Sequence, residues 1–294
     1  MEKEKDLTLK VSENMIKECI TDLYINPKKS MIKWSRITNQ TAQGKFAYPS
    51  QHLASLITKT KGCGSAARGD DLADGSEVKS CTRADQLQTC KKCYTNVLPW
   101  EEKCSNCGSK EISKDTSSHW IFLIKTDYEL DLLLNKVPRI ITILFDKEKF
   151  TSEKIRIRAW TIDPKQKYVR AFFTDYYENN FKLKTGKGDT PAPCNLHPLK
   201  YDFFMMEPKL IFVTEIDLKN ITIKFWNLKN PKEQPMPTSL LSKDKLIEIF
   251  GEEIIKMNRS EIYKKYPIVP IKNFEKLEMK IKKLKSYKEK YQRR

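Results

Sequence analysis

"GDDLADGSEVKS", residues 69 to 80, gathers four carboxylates and a lysine around Gly75 in a chain that is otherwise strongly basic. Its second half, continued to Cys81, alternates polar and apolar residues with the period of a half-buried strand. Glu77 and Lys79 then share one face, and Val78 turns into the core. "LADG" just before reads as a hairpin turn. A hairpin there carries Asp70 or Asp71 back across from Glu77; spacing favours Asp70, and Asp74 reads as a turn residue. Two converging carboxylates repel each other unless a cation lies between them, and hard oxygen ligands of this kind suit Mg²⁺. A lysine beside them can contact a phosphate and orient an attacking water, which is the chemistry of metal-assisted phosphodiester hydrolysis. An acidic surface turn next to a chance E-x-K has the same composition, so the surroundings of the stretch must decide.

On its N-terminal side, "YPSQHLASLITKTKG" (48–62) predicts a helix. Pro49 suits the first turn, Leu53, Leu56 and Ile57 form the apolar stripe, and Gly62 closes the end. Gln51 on that helix either reaches the metal waters or, the more favoured reading, is a solvated side chain; His52 is read as a packing or surface residue. Further upstream, Ser12 is a plausible N-cap for a helix over 11–25. "NPKKS" interrupts it, and Met31, Trp34 and Ile37 suggest a second short helix.

Downstream stands a cysteine quartet. Cys90, Cys93, Cys104 and Cys107 form C-x₂-C, ten residues, C-x₂-C. Each pair chelates from one tight knuckle, and two knuckles complete a tetrahedral thiolate site for Zn²⁺, with a rubredoxin-type iron site as the competitor. Four thiolates leave no open position, so the metal is structural. Cys19, Cys63, Cys81 and Cys194 read as core or incidental thiols. The ribbon follows closely behind Lys79; it either stiffens that region or touches a nucleic acid with Lys91, Lys92 and Lys110.

The whole chain agrees with such a partner. Its 294 residues carry 55 Lys and Arg against 38 Asp and Glu, a formal charge of +17, which favours a polyanion. A lysine-rich proteome gives the same excess, so charge alone does not decide. No apolar run approaches a membrane span, and the N-terminus lacks a signal-peptide core, so a cytoplasmic protein without a membrane partner is expected. "HWIFLIK", "RIITILF", "KIRIRAWTI", "KLIFVTEI" and "ITIKFWNL" read as strands, with "DYELDLLLNK" a helical connection between the first two. "KIRIRAWTI" looks like a strand with a basic face. From about residue 160 the pattern loosens into aromatic, basic and loop-forming residues. "SKDKLIEIFGEEIIKM" is helical, and residues 272 to 294 carry ten basic and three acidic side chains. "GKGD" at 186–189 lacks the flanks of a phosphate loop.

Asp70, six residues, then Glu-Val-Lys resembles the PD-(D/E)xK nuclease core, in the compact form of MutH-like and several restriction enzymes. The usual proline before the aspartate is absent, and Gly69 stands there. "YPSQHLASLIT", "ARGDDLADGSEVKS" and the ribbon behind them together resemble the MamI-type restriction endonucleases over roughly residues 46 to 125. The resemblance implies an α/β (α+β) fold: a restriction-endonuclease-like mixed sheet flanked by helices, with an inserted zinc ribbon and a basic C-terminal region. It implies a type II enzyme that cuts double-stranded DNA at a short palindromic or interrupted-palindromic site, needs Mg²⁺, works as a homodimer and belongs with a cognate DNA methyltransferase. By motif position it places the metal on Asp70 (or Asp71), Glu77 and the Val78 backbone carbonyl, and the catalytic amine on Lys79. Residues 1–160 are then the catalytic core, containing the ribbon at 88–112, and 161–294 the recognition and dimerisation region. Arg83, Asp85 and Gln86 lie close enough to reach a DNA groove or simply start a helix. Arg156, Arg158 and Arg170 are candidate phosphate or guanine contacts, or a solvated basic face. A structure-reading repair or resolving nuclease with the same core, and a zinc-ribbon DNA-binding regulator without catalysis, are the alternatives.

Overall fold

In a computed structural model of the chain, the residues described are 7–40, 44, 46–64, 71–81, 88–97, 101–113, 118–147, 154–198, 201–217 and 220–233. Three helices open the chain: α1 (Glu13–Ile20), α2 (Asn26–Thr38) and α3 (Ala47–Thr58). Ser12 caps α1 by accepting from the Met15 N–H at 3.3 Å, as expected. β1 (Glu77–Cys81) follows, then the short ribbon strands β2 (Gln88–Cys90), β3 (Asn96–Val97) and β4 (Ile112–Ser113). After these come β5 (Trp120–Phe122), α4 (Asp127–Asp131), β6 (Ile140–Asp146), β7 (Ile155–Ile162), α5 (Lys167–Tyr176) and α6 (Lys182–Gly186). β8 (Cys194–Leu196), α7 (Tyr201–Met205), β9 (Lys209–Ile216), β10 (Ile221–Trp226) and β11 (Lys232–Glu233) complete the described part.

The main sheet is mixed and runs β1-β6-β7-β9-β10, with β11 also on β9. β1 lies parallel to β6, with Glu77 opposite Ile140, and the other neighbours are antiparallel. Both faces of this sheet are covered, which is why β6 is buried at every one of its seven positions. Ile140 and Leu144 of β6, with Trp160 and Ile162 of β7, join one core with Trp120, Leu134, Tyr168 and Phe173. Ile141, Ile143 and Phe145, with Ile157 and Ala159, join the other, made with Ile16, Ile20, Leu53 and Ile57 of the N-terminal helices. Alternate residues thus feed opposite layers, giving helix, sheet, helix. β9 and β10 belong to the same sheet as β1, so the described residues beyond 160 build onto the first half's core.

Several local expectations need correction. "NPKKS" does not interrupt the first helix: α1 passes through a π-helical stretch, Thr21–Ile25, straight into α2. Pro27 lacks the N–H that a continuous helix would pair with the preceding turn, and the π-helical stretch lies immediately ahead of it. Gly62 does not close α3. Lys59 does so in the left-handed conformation (φ 56°), and Gly62 bridges Leu72. The loosened region after 160 is largely helical, from α5 through a π-helical stretch, Tyr177–Phe181, into α6. "LADG" is a turn, closed by Gly75 N–H to Leu72 C=O at 2.8 Å, and among the described residues β1 finds its strand partner in β6. Gly75 holds φ +83°, a conformation that a side chain would strain. "HWIFLIK" supplies β5, which pairs with β8 in a sheet of its own. The "SKDKLIEIFGEEIIKM" helix and the basic tail lie outside the described residues. Among the described residues no helix is long and apolar enough to cross a membrane.

Candidate active site

Among the described residues β1 is the end strand of the main sheet, and that placement makes the site. Only one side of its backbone meets β6, where the Glu77 N–H donates to the Arg139 carbonyl at 3.2 Å. The next N–H along, that of Val78, faces the open edge, and Asp71 takes it: Val78 N–H donates to Asp71 Oδ2 at 2.7 Å. The turn between them folds Asp71 back onto the strand. Its other oxygen, Oδ1, accepts from Gln51 Nε2 of α3 at 2.5 Å. Only the amide nitrogen can face a carboxylate oxygen this closely, which fixes the orientation of the Gln51 side chain.

Glu77 and Lys79 lie two residues apart on the same face of β1, and the Lys79 ammonium pairs with Glu77 Oε1. Val78 is 6% exposed and packs into the core with Leu53 and Ile57. Burial raises the Asp71 carboxyl above the usual aspartate range, and the neighbouring Glu77 charge raises it further. The Val78 N–H and the Lys79 ammonium pull the other way without cancelling the effect. Two neighbouring carboxylates, one of them raised by the other's charge, with an ammonium beside them, are a donor set that a divalent cation satisfies. A cavity of about 290 Å³ opens against Glu77 and Lys79, walled by Ile121, Leu123, Leu132 and Val137. Lys79 Nζ lies 5.6 Å from the centre of the Phe122 ring at its edge.

Asp71, Glu77, Val78 and Lys79 are therefore together, and Gln51 joins them by holding Asp71 and not as a solvated side chain. Asp70, Arg83, Asp85 and Gln86 lie outside the described residues. The basic face expected of "KIRIRAWTI" is not one. Arg156 grips Asp146 in a bidentate pair (Nε to Oδ1 3.0 Å, Nη2 to Oδ2 2.9 Å), and Arg158 Nη2 reaches the same Oδ2 at 2.5 Å. Arg158 is only 5% exposed and stacks on Trp160, so a covered sheet face has turned a basic pattern inward. Arg170 donates to the Leu134 carbonyl at 2.9 Å and to Asn135 Oδ1 at 3.0 Å, both in the π-helical stretch Leu132–Lys136 that continues α4.

The cysteine quartet forms a second centre. Its four sulfurs lie within 4.8 Å of one another. Cys90 and Cys107 are 3.6 Å apart and Cys93 and Cys104 3.5 Å, close to the sulfur–sulfur edge of about 3.8 Å that a zinc tetrathiolate has. The two knuckles repeat each other. In one, the Tyr94 N–H donates to the Cys90 carbonyl (2.9 Å), and in the other Gly108 to Cys104 (2.8 Å), both donors at positive φ. Gly108 was visible as a knuckle glycine, whereas Tyr94 (φ 60°) carries no such signal. The Thr95 side chain, 3.3 Å from Cys93 Sγ, and then its backbone and Asn106 draw that thiol down to about 5, toward the ligating thiolate. The ribbon is moored to the end of α2: Asn96 Nδ2 donates to the Asn39 carbonyl at 2.8 Å, and Arg36 pairs with Glu101 at 3.6 Å.

Comparisons with known proteins place the chain by sequence. A stretch of 154 residues is 29% identical to the type II restriction enzyme MamI of Microbacterium ammoniaphilum, covering 52% of this chain and 44% of that protein, so the chain matches less than half of its relative's length. No solved structure matches. The sequence profile described as MamI restriction endonuclease matches residues 33–243, which takes in α3, the Asp71–Lys79 site, the cysteine ribbon and every strand of the main sheet. By that coverage the chain belongs to the MamI restriction endonuclease family.

Proposed function

We propose that this chain is a type II restriction endonuclease that hydrolyses phosphodiester bonds in double-stranded DNA at a defined sequence, using Mg²⁺ held by Asp71 and Glu77. One observation carries the reading: in a chain of this family, Asp71, Glu77 and Lys79 meet at one sheet edge, with both Asp71 oxygens already oriented by donors. The PD-(D/E)xK assignment rests on that same triad. Asp71 takes the role that spacing had favoured for Asp70.

When bound, the divalent cation supplies charge neutralisation at the scissile phosphate and acidifies a bound water. The residues supply the rest. Gln51 and the Val78 N–H hold the Asp71 carboxylate so that each oxygen keeps a lone pair for a ligand. Glu77 provides the second carboxylate from a rigid strand. Lys79 is placed to contact a non-bridging phosphate oxygen and orient the attacking water. In the reaction a water oxygen–phosphorus bond forms, a phosphorus–oxygen ester bond breaks, and the departing alkoxide takes up a proton. The ribbon holds Zn²⁺ as a structural ion. The basic chain binds the DNA backbone, and a palindromic target implies a homodimer alongside a methyltransferase that protects host DNA.

Incubation of plasmid DNA with the protein and Mg²⁺ tests the reading. Discrete bands are expected. Nicking confined to branched or mismatched substrates supports the structure-reading nuclease instead. Absence of cleavage in both Mg²⁺ and Mn²⁺ overturns the assignment.

A further inference from the structure

The shape of the site depends on a residue far from it in sequence. We infer that Arg139, at the entry to β6, is a positioning residue that sets the spacing between the two metal-binding carboxylates; this rests on the nuclease reading above. Asp71 and Glu77 stand at the two ends of the turn 72–76, so the turn's shape and the register of β1 decide how far apart their carboxylates lie. Arg139 controls both. Its carbonyl accepts the Glu77 N–H, fixing the register at the first residue of β1. Its guanidinium donates from Nε to Ser76 Oγ at 3.0 Å, and from Nη2 to Asp74 Oδ2 at 2.8 Å and to Thr60 Oγ1 at 3.2 Å.

Those contacts tie three segments together. Thr60 follows the end of α3, the helix that carries Gln51. Asp74 and Ser76 belong to the turn, and Arg139 leads into the strand beside β1. Asp74 Oδ1 meanwhile accepts the Ser76 N–H at 3.0 Å, and Ser76 is completely buried, so the turn is braced from within as well. A planar fork with fixed donor directions serves three acceptors at once, which a lysine ammonium on a flexible stem does not reproduce. Misplacing a reacting group by about 1 Å costs on the order of 10²-fold in rate, so loosening this clamp should be read out in catalysis before it is read out in folding.

The test uses the full chain with Arg139→Met and Arg139→Lys. DNA affinity is measured in Ca²⁺, kcat and the Mg²⁺ concentration giving half-maximal rate are measured on a cleavable plasmid, and melting is followed in parallel. Expected for Arg139→Met is a fall in kcat of roughly 10- to 100-fold and a several-fold rise in the Mg²⁺ requirement, with DNA affinity unchanged. Arg139→Lys should recover only part of both. If Arg139→Met does not melt cooperatively, Asp74→Asn and Ser76→Ala take its place and should shift the Mg²⁺ curve in the same direction by less. Folded variants that keep the wild-type kcat and Mg²⁺ curve, with or without a lower melting temperature, overturn the inference. So does a loss of DNA affinity that accounts for the whole loss of cleavage. A wild-type protein that cuts no DNA removes the nuclease reading itself, a separate and recognisable failure.

Discussion

At the scale of single residues, the site is a balance between two acids and one amine. Replacing Lys79 with Ala should lower kcat by about 10²- to 10⁴-fold, and Glu77→Ala should do at least as much, while both keep their DNA affinity in Ca²⁺; gel shift beside cleavage assays checks this. The raised Asp71 carboxyl makes a second prediction, and its sign can be worked out. A carboxyl that ionises less readily folded than unfolded leaves the folded state binding more protons between those two values, so stability falls as pH rises through that window. Asp71→Asn removes the penalty, because Asn Oδ1 still accepts from Val78 N–H and Gln51 can turn its carbonyl toward the new amide. Without divalent cations the variant should melt no lower than wild type at neutral pH, the difference closing as pH drops toward the ordinary aspartate value. Added Ca²⁺ should stabilise wild type and leave the variant unmoved. Melting curves across pH check both arms; a variant that melts well below wild type at every pH removes the argument. Glu77 and Lys79 were legible in the sequence because an i, i+2 relation on a strand needs no tertiary knowledge. Asp71 stood in the sequence only as one of two candidates, because a residue count does not say how a turn folds. Gln51 was noticed for a different reason than the one it serves, and Arg139 sends its guanidinium across more than sixty positions, which no local pattern records.

Among the elements, strands were the most readable, because β6 is almost wholly apolar between its two covered faces and β7 and β9 alternate. The helix from 167 to 186 was missed: its aromatic, basic and loop-forming residues show no clear period until Tyr168, Phe173 and Tyr177 find one core face. The basic face of β7 was misread for a related reason, since alternation tells which residues share a side and says nothing of what covers that side. The ribbon was readable from spacing alone, because its ligands do the work of a core. Among the described residues its buried cluster is Cys90, Val97 and Cys104, far too little apolar surface to fold without metal. Apparent metal-binding energies of about 10–16 kcal/mol for structural zinc in zinc-finger peptides are of the size such a module requires. Cys104→Ala should therefore abolish the bound zinc and open the amides of β2, β3 and β4 to exchange, while β6 stays protected by its own two core layers. Metal analysis with hydrogen exchange separates this from global unfolding. Equal loss of protection in β6 would mean that the ribbon holds the core, beyond what its mooring through Asn39–Asn96 and Arg36–Glu101 implies.

For the molecule as a whole, the excess of 55 basic over 38 acidic residues has to be located before it means anything. Arg156 and Arg158 show why: both count toward the charge, and both spend it on Asp146 inside the fold. Arg139 is likewise committed, to Asp74. Lysines dominate the rest, and Lys91, Lys92, Lys103 and Lys110 on the ribbon are all exposed. A lysine is a hydrated point charge suited to phosphate contact, whereas guanidinium forks suit the reading of guanine edges. This division predicts that affinity and sequence choice separate. Non-specific DNA binding should weaken steeply with salt, and six to ten phosphate contacts would give a loss of about 10³- to 10⁵-fold between 50 and 200 mM. Replacing Lys91 and Lys92 together with Ala should lower affinity for every DNA alike and flatten that slope by about two contacts if the ribbon lies on the backbone, leaving the pattern of cleavage bands unchanged. Binding titrations at graded salt, with plasmid digests alongside, measure both quantities. An unchanged slope would place the ribbon away from DNA and leave its lysines to solubility. An altered band pattern would make it a reader of bases, which nothing in its exposed lysines is built to do.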